Sequence, residues 1–133
     1  GAAAGRRATS TRGSAVGAAR GGSRDRHVRR IRQVYGERRR AMLEALARHF
    51  PVGARWTRPS GGLFLWVTLP PGVDSMELLD EALHAGVAFI PGAPFYADGR
   101  GAATLRLNFS YCTPERIEEG IGRLGRLLRA RGL

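Results

Sequence analysis

The chain has 133 residues and a mass of 14.4 kDa, the size of one domain or of one domain with a tail. All 22 basic residues are arginine and the acidic residues number 11, so the formal net charge is +11. Because the sequence has no lysine, this chain supplies no lysine Schiff base and no lysine general base. No apolar run approaches the roughly 20 residues that cross a bilayer, so we expect no membrane segment. A reducing cytoplasm is the expected location, since the single Cys112 forms no internal disulfide.

Residues 1–24 form a predicted tail that is rich in alanine, glycine and arginine. They contain five arginines and no acidic residue, and Val16 is their one large aliphatic side chain. Such a segment buries too little surface to offset the entropy of ordering its backbone, so we expect it to be disordered. Binding to a polyanion and a targeting role are the alternatives to an incidental sequence. The domain is predicted to span residues 25–133.

The first predicted element is an amphipathic helix from Asp25 to about Phe50. Apolar residues recur there at steps of three, four and seven, and Pro51 ends the helix. The opposite face carries six arginines, which form either a solvated surface or a patch for an acidic partner: Arg29, Arg30, Arg32, Arg38, Arg39 and Arg40.

Short strands and a second helix follow. Residues 55–58 are a strand candidate, and 59–62 form a turn that ends in Gly61-Gly62. Residues 63–69 are continuously apolar apart from Thr68, and they predict a central strand that is covered on both faces. Asp74 caps a helix whose apolar residues are Met76, Leu79 and Leu83, and Gly86 ends it. Residues 87–90 are a short buried strand, and 91–103 are a long loop.

The last two elements have the clearest patterns. Residues 104–109 alternate, with Leu105, Leu107 and Phe109 on one face and the polar side chains on the other. Thr113-Pro114 is a typical helix start, and the apolar residues that follow recur at helical spacing. The whole order predicts an α+β fold, a small sheet of about four strands with helices packed on it and a long amphipathic helix before it.

Few residues in this chain suggest chemistry by themselves. His27, His49 and His84 are far apart in sequence and match no metal-ligand spacing, so we expect structural or exposed roles and no metal site. Cys112 is interpreted as a small packing residue. These residues provide no candidate for catalysis.

Arg106 is the exception, because it lies in the middle of a short apolar strand. A buried charge there needs a partner, and the planar arginine fork matches a carboxylate. The spacing alone leaves open a second interpretation, in which the 104/106/108 face is simply solvated.

Five segments resemble, in order and spacing, the small C-terminal domain of class I/II aminotransferases of the pyridoxal-phosphate fold type I. The similarity is greatest to the subgroup of 2-aminoadipate and kynurenine aminotransferases, and it covers about four fifths of the chain. The segments are HVRRIRQVYGERRRAMLEAL (27–46), RWTRPSGGLFLWVTLP (55–70), AGVAFIPGAPFYADG (85–99), TLRLNFS (104–110) and TPERIEEGIGRL (113–124).

This resemblance implies a function for particular residues. Arg106 falls on the family's strand arginine, which grips the α-carboxylate of the substrate, and Gly61, Gly62 and the loop 91–98 fall near the substrate entrance. The implied cofactor is pyridoxal 5'-phosphate, the substrates are amino acids and 2-oxo acids, and the implied assembly is a homodimer. The cofactor-bound lysine and most cofactor ligands belong to a large domain that this sequence does not contain. The resemblance therefore implies a fragment or a shifted reading frame, inactive alone and with no covalent cofactor.

Two other classes of protein stay open. One is the aminotransferase-like domain of a GntR-type transcription regulator, which would have lost its winged helix. The other is a basic nucleic-acid-binding protein, although a charge of +11 by itself predicts only nonspecific binding.

Overall fold

The first helix of the computed structural model, which describes residues 14–95, 101–110 and 112–133, is α1 (Ser14–His49). Its predicted start at Asp25 was wrong, because no proline interrupts the chain before Pro51 and glycine lowers helix propensity without forbidding a helix. Residues 14–24 therefore join the helix, whereas residues 1–13 lie outside the described part. The order of the tail in solution and the boundary between residues 24 and 25 stay predictions.

The chain divides between Val34 and Tyr35 into two compact units. The described part of the first unit is the helical segment 14–34, in which Val28 and Ile31 are exposed. The second unit holds the rest of α1, which ends where Phe50 N–H donates to Leu46 O at 3.0 Å, and all of the following elements.

Four short strands form one antiparallel sheet. They are β1 (Arg55–Trp56), β2 (Phe64–Thr68), β3 (Ile90–Pro91) and β4 (Thr104–Asn108), and their order in the sheet is β1-β2-β4-β3. The α+β architecture with a four-stranded sheet is thus confirmed, and β2 and β4 are the central pair.

Among the described residues, the helices pack against one face of this sheet. Leu65 and Val67 of β2 and Leu105 and Leu107 of β4 are buried in one apolar core. The remainder of α1, the helix α2 (Ser75–His84) and the helix α3 (Pro114–Ala130) contribute the other large core side chains: Met42, Leu46, Leu78, Ile117, Ile121, Leu124 and Leu128.

The prediction that β2 is covered on both faces was wrong. Its side chains alternate, with Leu65 and Val67 buried while Phe64 is 40% exposed. The sequence hid this alternation because the outward positions of β2 include the aromatic residues Phe64 and Trp66, so the run is apolar at almost every position. Arg106 lies on this outward face of the sheet.

The second helix presents a different side from the predicted one. Asp74 is its N-cap and accepts from Met76 N–H at 2.9 Å, as expected. The buried residues are Ser75, Leu78 and Ala82, whereas Met76 and Leu83 are exposed. Ser75 and Ala82 have small side chains, so this side of the helix can approach the core closely. The close packing outweighs the greater hydrophobicity of the side that carries Met76 and Leu83.

The strand predicted at residues 87–90 is reduced to Ile90–Pro91. Gly86 has φ +82° and ends α2 as predicted, with Val87 N–H donating back to Ala82 O at 2.8 Å. This backbone bond ties Val87 to the helix end, as in a Schellman motif, and leaves only the last residues free to pair with β4.

The third helix begins as the sequence predicts and packs against the end of α1. The hydroxyl of Thr113 caps it by accepting from Arg116 N–H at 3.3 Å, and Pro114 is its first residue. A Cβ atom placed on Gly125 would lie 2.5 Å from His49 O. The absence of a side chain at Gly125 therefore permits the close crossing of α1 and α3.

Candidate functional site

Arg106 occupies the centre of the sheet face opposite the core helices. In the strand register it lies opposite Trp66 of β2 on one side and opposite Ile90 of β3 on the other. Its neighbours in sequence, Leu105 and Leu107, are buried in the core. Because strand residues alternate in direction, the side chain of Arg106 points away from the core, as the sequence predicts.

An aromatic ring lies beneath the guanidinium of Arg106. The Cζ atom of Arg106 is 4.4 Å from the centroid of the Phe64 ring, well within the distance of a cation–π interaction. Phe64 is paired with Asn108 in the register, so its ring reaches Arg106 along the diagonal of the β2–β4 pair. The arginine is half-buried on a face that is otherwise partly exposed.

The remaining residues of this face form a mixed apolar and polar surround. Trp66 is half-buried and Ile90 is exposed, so apolar side chains flank Arg106 on both neighbouring strands. Asn108 Oδ1 accepts from Ser110 N–H at 2.7 Å and fixes the end of β4. Arg55, opposite Thr68, is a second exposed arginine on the same face.

Gly61 and Gly62 form an exposed turn before β2. Gly62 has φ +82°, a conformation that favours glycine, and no heavy atom lies within 4 Å of a Cβ placed on Gly61. Their predicted place near a substrate entrance stays a prediction. In the predicted entrance loop 91–98, residues 96–98 lie outside the described residues, as do 99 and 100.

Gly92 lies near the beginning of that loop and packs against β4. Its N–H donates to Thr104 O at 2.8 Å, and a Cβ placed on it would lie 1.8 Å from Thr104 Oγ1. Thr104 Oγ1 itself donates to Gly101 O at 2.8 Å. The chain on either side of the loop is therefore fastened to the strand that carries Arg106.

Two of the three histidines have local polar partners in the structure. His49 Nε2 lies 2.8 Å from Glu118 Oε1, and His84 Nδ1 lies 2.8 Å from Asp80 O, while His27 is exposed. Cys112 is partly buried against the core. No cluster of three His, Cys, Asp or Glu side chains suited to a metal ion occurs among the described residues.

A cavity of about 340 Å³ lies on the helical side of the sheet, away from Arg106. Its wall includes Met42, Val87, Leu107, Cys112 and Ile117. Arg123 at its rim donates to Ala85 O at 2.9 Å and pairs with Glu119. The bond to Ala85 joins the rim to the end of α2.

The prediction of an arginine-rich face on α1 can be compared with the structure. Arg38 is held by the fold, since it donates to Ser110 O and lies 6.0 Å from the centroid of the Tyr35 ring. Arg38 is therefore not part of a solvated row of arginines, whereas Arg40 is exposed.

Across the part of the chain that the structure describes, no helix is long and apolar enough to span a membrane.

Comparison with known proteins assigns the chain to a family. The family model for aminotransferase class I and II matches residues 5–124. The chain is 45% identical over 109 residues to aromatic-amino-acid aminotransferase 1 of Thermococcus litoralis, covering 82% of this chain and 26% of that protein. This chain belongs to the class I and II aminotransferase family, and it spans about a quarter of the length of the curated relatives it matches.

Solved structures show the same likeness. Kynurenine aminotransferase of Pyrococcus horikoshii, in complex with PMP, aligns with a TM-score of 0.76 and 47% identity, over 84% of this chain and 28% of that one. The α-aminoadipate aminotransferase of Thermus thermophilus, complexed with N-(5'-phosphopyridoxyl)-L-leucine, aligns with a TM-score of 0.74 and 46% identity, over 80% and 27%.

A relative of lower identity is a transcription regulator. The chain is 32% identical over 107 residues to the uncharacterized HTH-type transcriptional regulator YdcR of Escherichia coli, covering 80% of this chain and 23% of that protein.

This chain has no residue that could hold the family's cofactor covalently. Pyridoxal phosphate is held covalently by a lysine, and this sequence has none. The site that the structure does contain is an arginine fork on an aromatic ring, and such a fork suits a carboxylate.

Sequence reasoning identified Arg106 but not the residues around it. Phe64, Trp66 and Ile90 were interpreted as core residues because they are apolar. The signal that could have found them is the strand register, since positions 64 and 66 share a parity and face the same side as Arg106 once β2 and β4 pair.

Proposed function

We propose that this chain is the substrate-carboxylate-binding domain of a pyridoxal-phosphate-dependent aminotransferase, which moves an amino group between an amino acid and a 2-oxo acid. The observation that supports it is Arg106, held over the ring of Phe64 at the centre of the sheet face opposite the core helices. The arginine's role is to bind the α-carboxylate through two parallel hydrogen bonds and so to orient the α-carbon.

The wider setting of this domain belongs to the same proposal. We infer amino acid and 2-oxo acid substrates, a homodimeric enzyme and a cytoplasmic location. Gly61, Gly62 and the loop 91–98 would border the entrance for substrate, next to the strand pair that carries Arg106.

A hybrid enzyme tests the role of Arg106. Residues 25–133 replace the matching segment of the T. litoralis aromatic aminotransferase, and Arg106→Ala and Arg106→Lys are compared with the parent hybrid. Loss of one partner of a buried charge pair costs about 2–5 kcal/mol, which corresponds to a decrease of roughly 1.5 to 3.5 orders of magnitude in kcat/KM. Lysine should restore little, because it offers a point charge and no planar fork.

The matched control is Arg55→Ala, which removes an exposed arginine from the same sheet face. We expect it to keep nearly the parental kcat/KM. We also expect the Arg106 variants to lose much less activity toward amines that lack the carboxylate. Near-parental kcat/KM for amino acids in both Arg106 variants would show that this arginine only faces solvent.

The second candidate function is an effector domain of a transcription regulator, favoured by the similarity to the HTH-type regulator of E. coli. Its identity of 32% is lower than the 45% of the enzyme relative, over 107 and 109 residues respectively. The DNA upstream of the coding region distinguishes the two, because a winged-helix reading frame there would support a regulator and a lysine-bearing large domain would support an enzyme.

A further inference from the structure

We propose that Phe64 is a positioning residue for Arg106, and that its ring holds the guanidinium in the orientation that receives a carboxylate. This inference rests on the proposed function, because it concerns the same arginine. It adds a second residue to the site, on a neighbouring strand, and assigns it a physical task.

The position of Phe64 is not explained by the core. Leu65 and Val67 of the same strand are buried, whereas Phe64 is among the exposed large apolar side chains. A ring in this position exposes apolar surface to water, and the guanidinium of Arg106 lies 4.4 Å from its centroid. Among the described residues, the contact with Arg106 is the interaction that the structure records for this ring.

The geometry suits a carboxylate site. A guanidinium donates hydrogen bonds in its own plane and from its edge, so a ring against its flat face does not compete with a carboxylate for those donors. The ring also restricts the long arginine side chain before a ligand arrives. Fewer side-chain conformations are then lost on binding, which favours the complex.

A second arginine–aromatic pair in the same unit shows the contrast. Arg38 lies over Tyr35 at the longer distance of 6.0 Å and donates to the backbone oxygen of Ser110. That guanidinium is engaged in joining α1 to the end of β4. The guanidinium of Arg106 lies closer to its ring, at 4.4 Å, and on the sheet face opposite the core helices.

The test measures Arg106 directly in the full 133-residue chain by NMR of the arginine side chains. The parent is compared with Phe64→Leu and Phe64→Met, which remove the aromatic ring, and with Phe64→Tyr, which keeps it. Acetate is the probe, titrated against chloride at matched ionic strength. Arg106→Lys identifies the Arg106 resonances, and Arg55 on the same face is the internal reference.

We expect the Arg106 resonances to show a ring-current shift in the parent and in Phe64→Tyr, and to lose it in the two non-aromatic variants. The dissociation constant of acetate at Arg106 should rise about two- to fivefold in Phe64→Leu and Phe64→Met, in line with a cation–π contribution at a partly exposed site. Leu63→Ala, which shortens an exposed apolar neighbour, should change neither quantity.

Two results would overturn this inference, and they are distinguishable. An unchanged acetate affinity at Arg106 in the non-aromatic variants, with tight binding in the parent, refutes the role of Phe64 and leaves the proposed function intact. Acetate binding at Arg106 of the parent no tighter than at Arg55 refutes the carboxylate site itself, and the role of Phe64 with it.

Discussion

Gly92 shows how one missing side chain controls the strand that carries Arg106. The backbone of Gly92 bonds to Thr104, the first residue of β4, and the Thr104 hydroxyl occupies the space that a Cβ atom would need. Any side chain at position 92 must therefore push β3 and β4 apart. The position requires glycine for space, not for an unusual backbone angle.

We expect Gly92→Ala to lower the free energy of unfolding by about 1–3 kcal/mol, the usual cost of overpacking a close contact. Gly61→Ala is the matched control, since open space surrounds a Cβ at that position. Urea unfolding of both variants measures the difference. Equal midpoints for Gly92→Ala and the parent would show that Thr104 moves aside without cost.

The residues of the site were only partly predictable for a related reason. The direction of Arg106 followed from alternation in β4, because leucines flank it and the period of a strand is two. Phe64 and Trp66 gave no such signal, since an aromatic residue is equally suited to a core and to a ligand-facing surface. Only the pairing of β2 with β4, which brings together residues far apart in sequence, shows that Phe64 and Trp66 lie on the outward face and not in the core.

At the scale of elements, Glu118 connects α1 and α3. Its carboxylate accepts from Arg48 and lies 2.8 Å from His49 Nε2. The hydrogen bond from Arg48, followed by that from His49, lowers the pKa of Glu118 below its ordinary 4.5. The same carboxylate raises the already high pKa of Arg48.

The pH dependence follows from the direction of the Glu118 shift. A carboxylate whose pKa is lowered by folding stabilises the native state above its ordinary pKa of 4.5 and loses this contribution as pH falls through the folded value. We expect Glu118→Gln to lower Tm by a few degrees at pH 7, and the gap to the parent to close below pH 4.5. The pair is partly exposed, so salt should reduce the gap as well.

Thermal unfolding between pH 3 and pH 7 measures this effect. Glu119→Gln is the control, because Glu119 pairs with Arg123 inside α3 and does not connect two helices. A gap between Glu118→Gln and the parent that is constant with pH would contradict an ionic contribution.

The elements themselves were predicted well where local signals are strong. Thr113-Pro114 and Asp74 cap helices as expected, and Gly86 ends α2. Errors arose where tertiary contacts decide the outcome. The bond from Val87 to Ala82 shortens β3, and the fit of small residues against the core selects which side of α2 is buried.

At the scale of the whole molecule, the absence of lysine is the most consequential property of the sequence. After mixing with pyridoxal phosphate and reduction with borohydride, we expect mass spectrometry to find no side-chain adduct within residues 25–133. The N-terminal amine is the one group that can form such an adduct, because arginine does not form a Schiff base under these conditions. A stoichiometric internal adduct would contradict this.

The control for this labelling is a variant with one lysine, Arg55→Lys, which places an exposed primary amine on the sheet face. An adduct at position 55 of the variant, together with none in the parent, shows that the reduction works in this chain.

The pairing of the two central strands has a consequence for the folding kinetics. Its central pair joins Thr68 to Thr104, so residues 69–103 must be looped out before β2 and β4 can meet. Closing a loop of this length costs roughly 3 kcal/mol of chain entropy, which is incurred before the pairing gains anything in return. The helices α2 and α3 form from neighbours in sequence, whereas the strand pair that assembles the surface around Arg106 depends on contacts distant in sequence. The surface around Arg106 is therefore among the last parts of this unit to form when it folds.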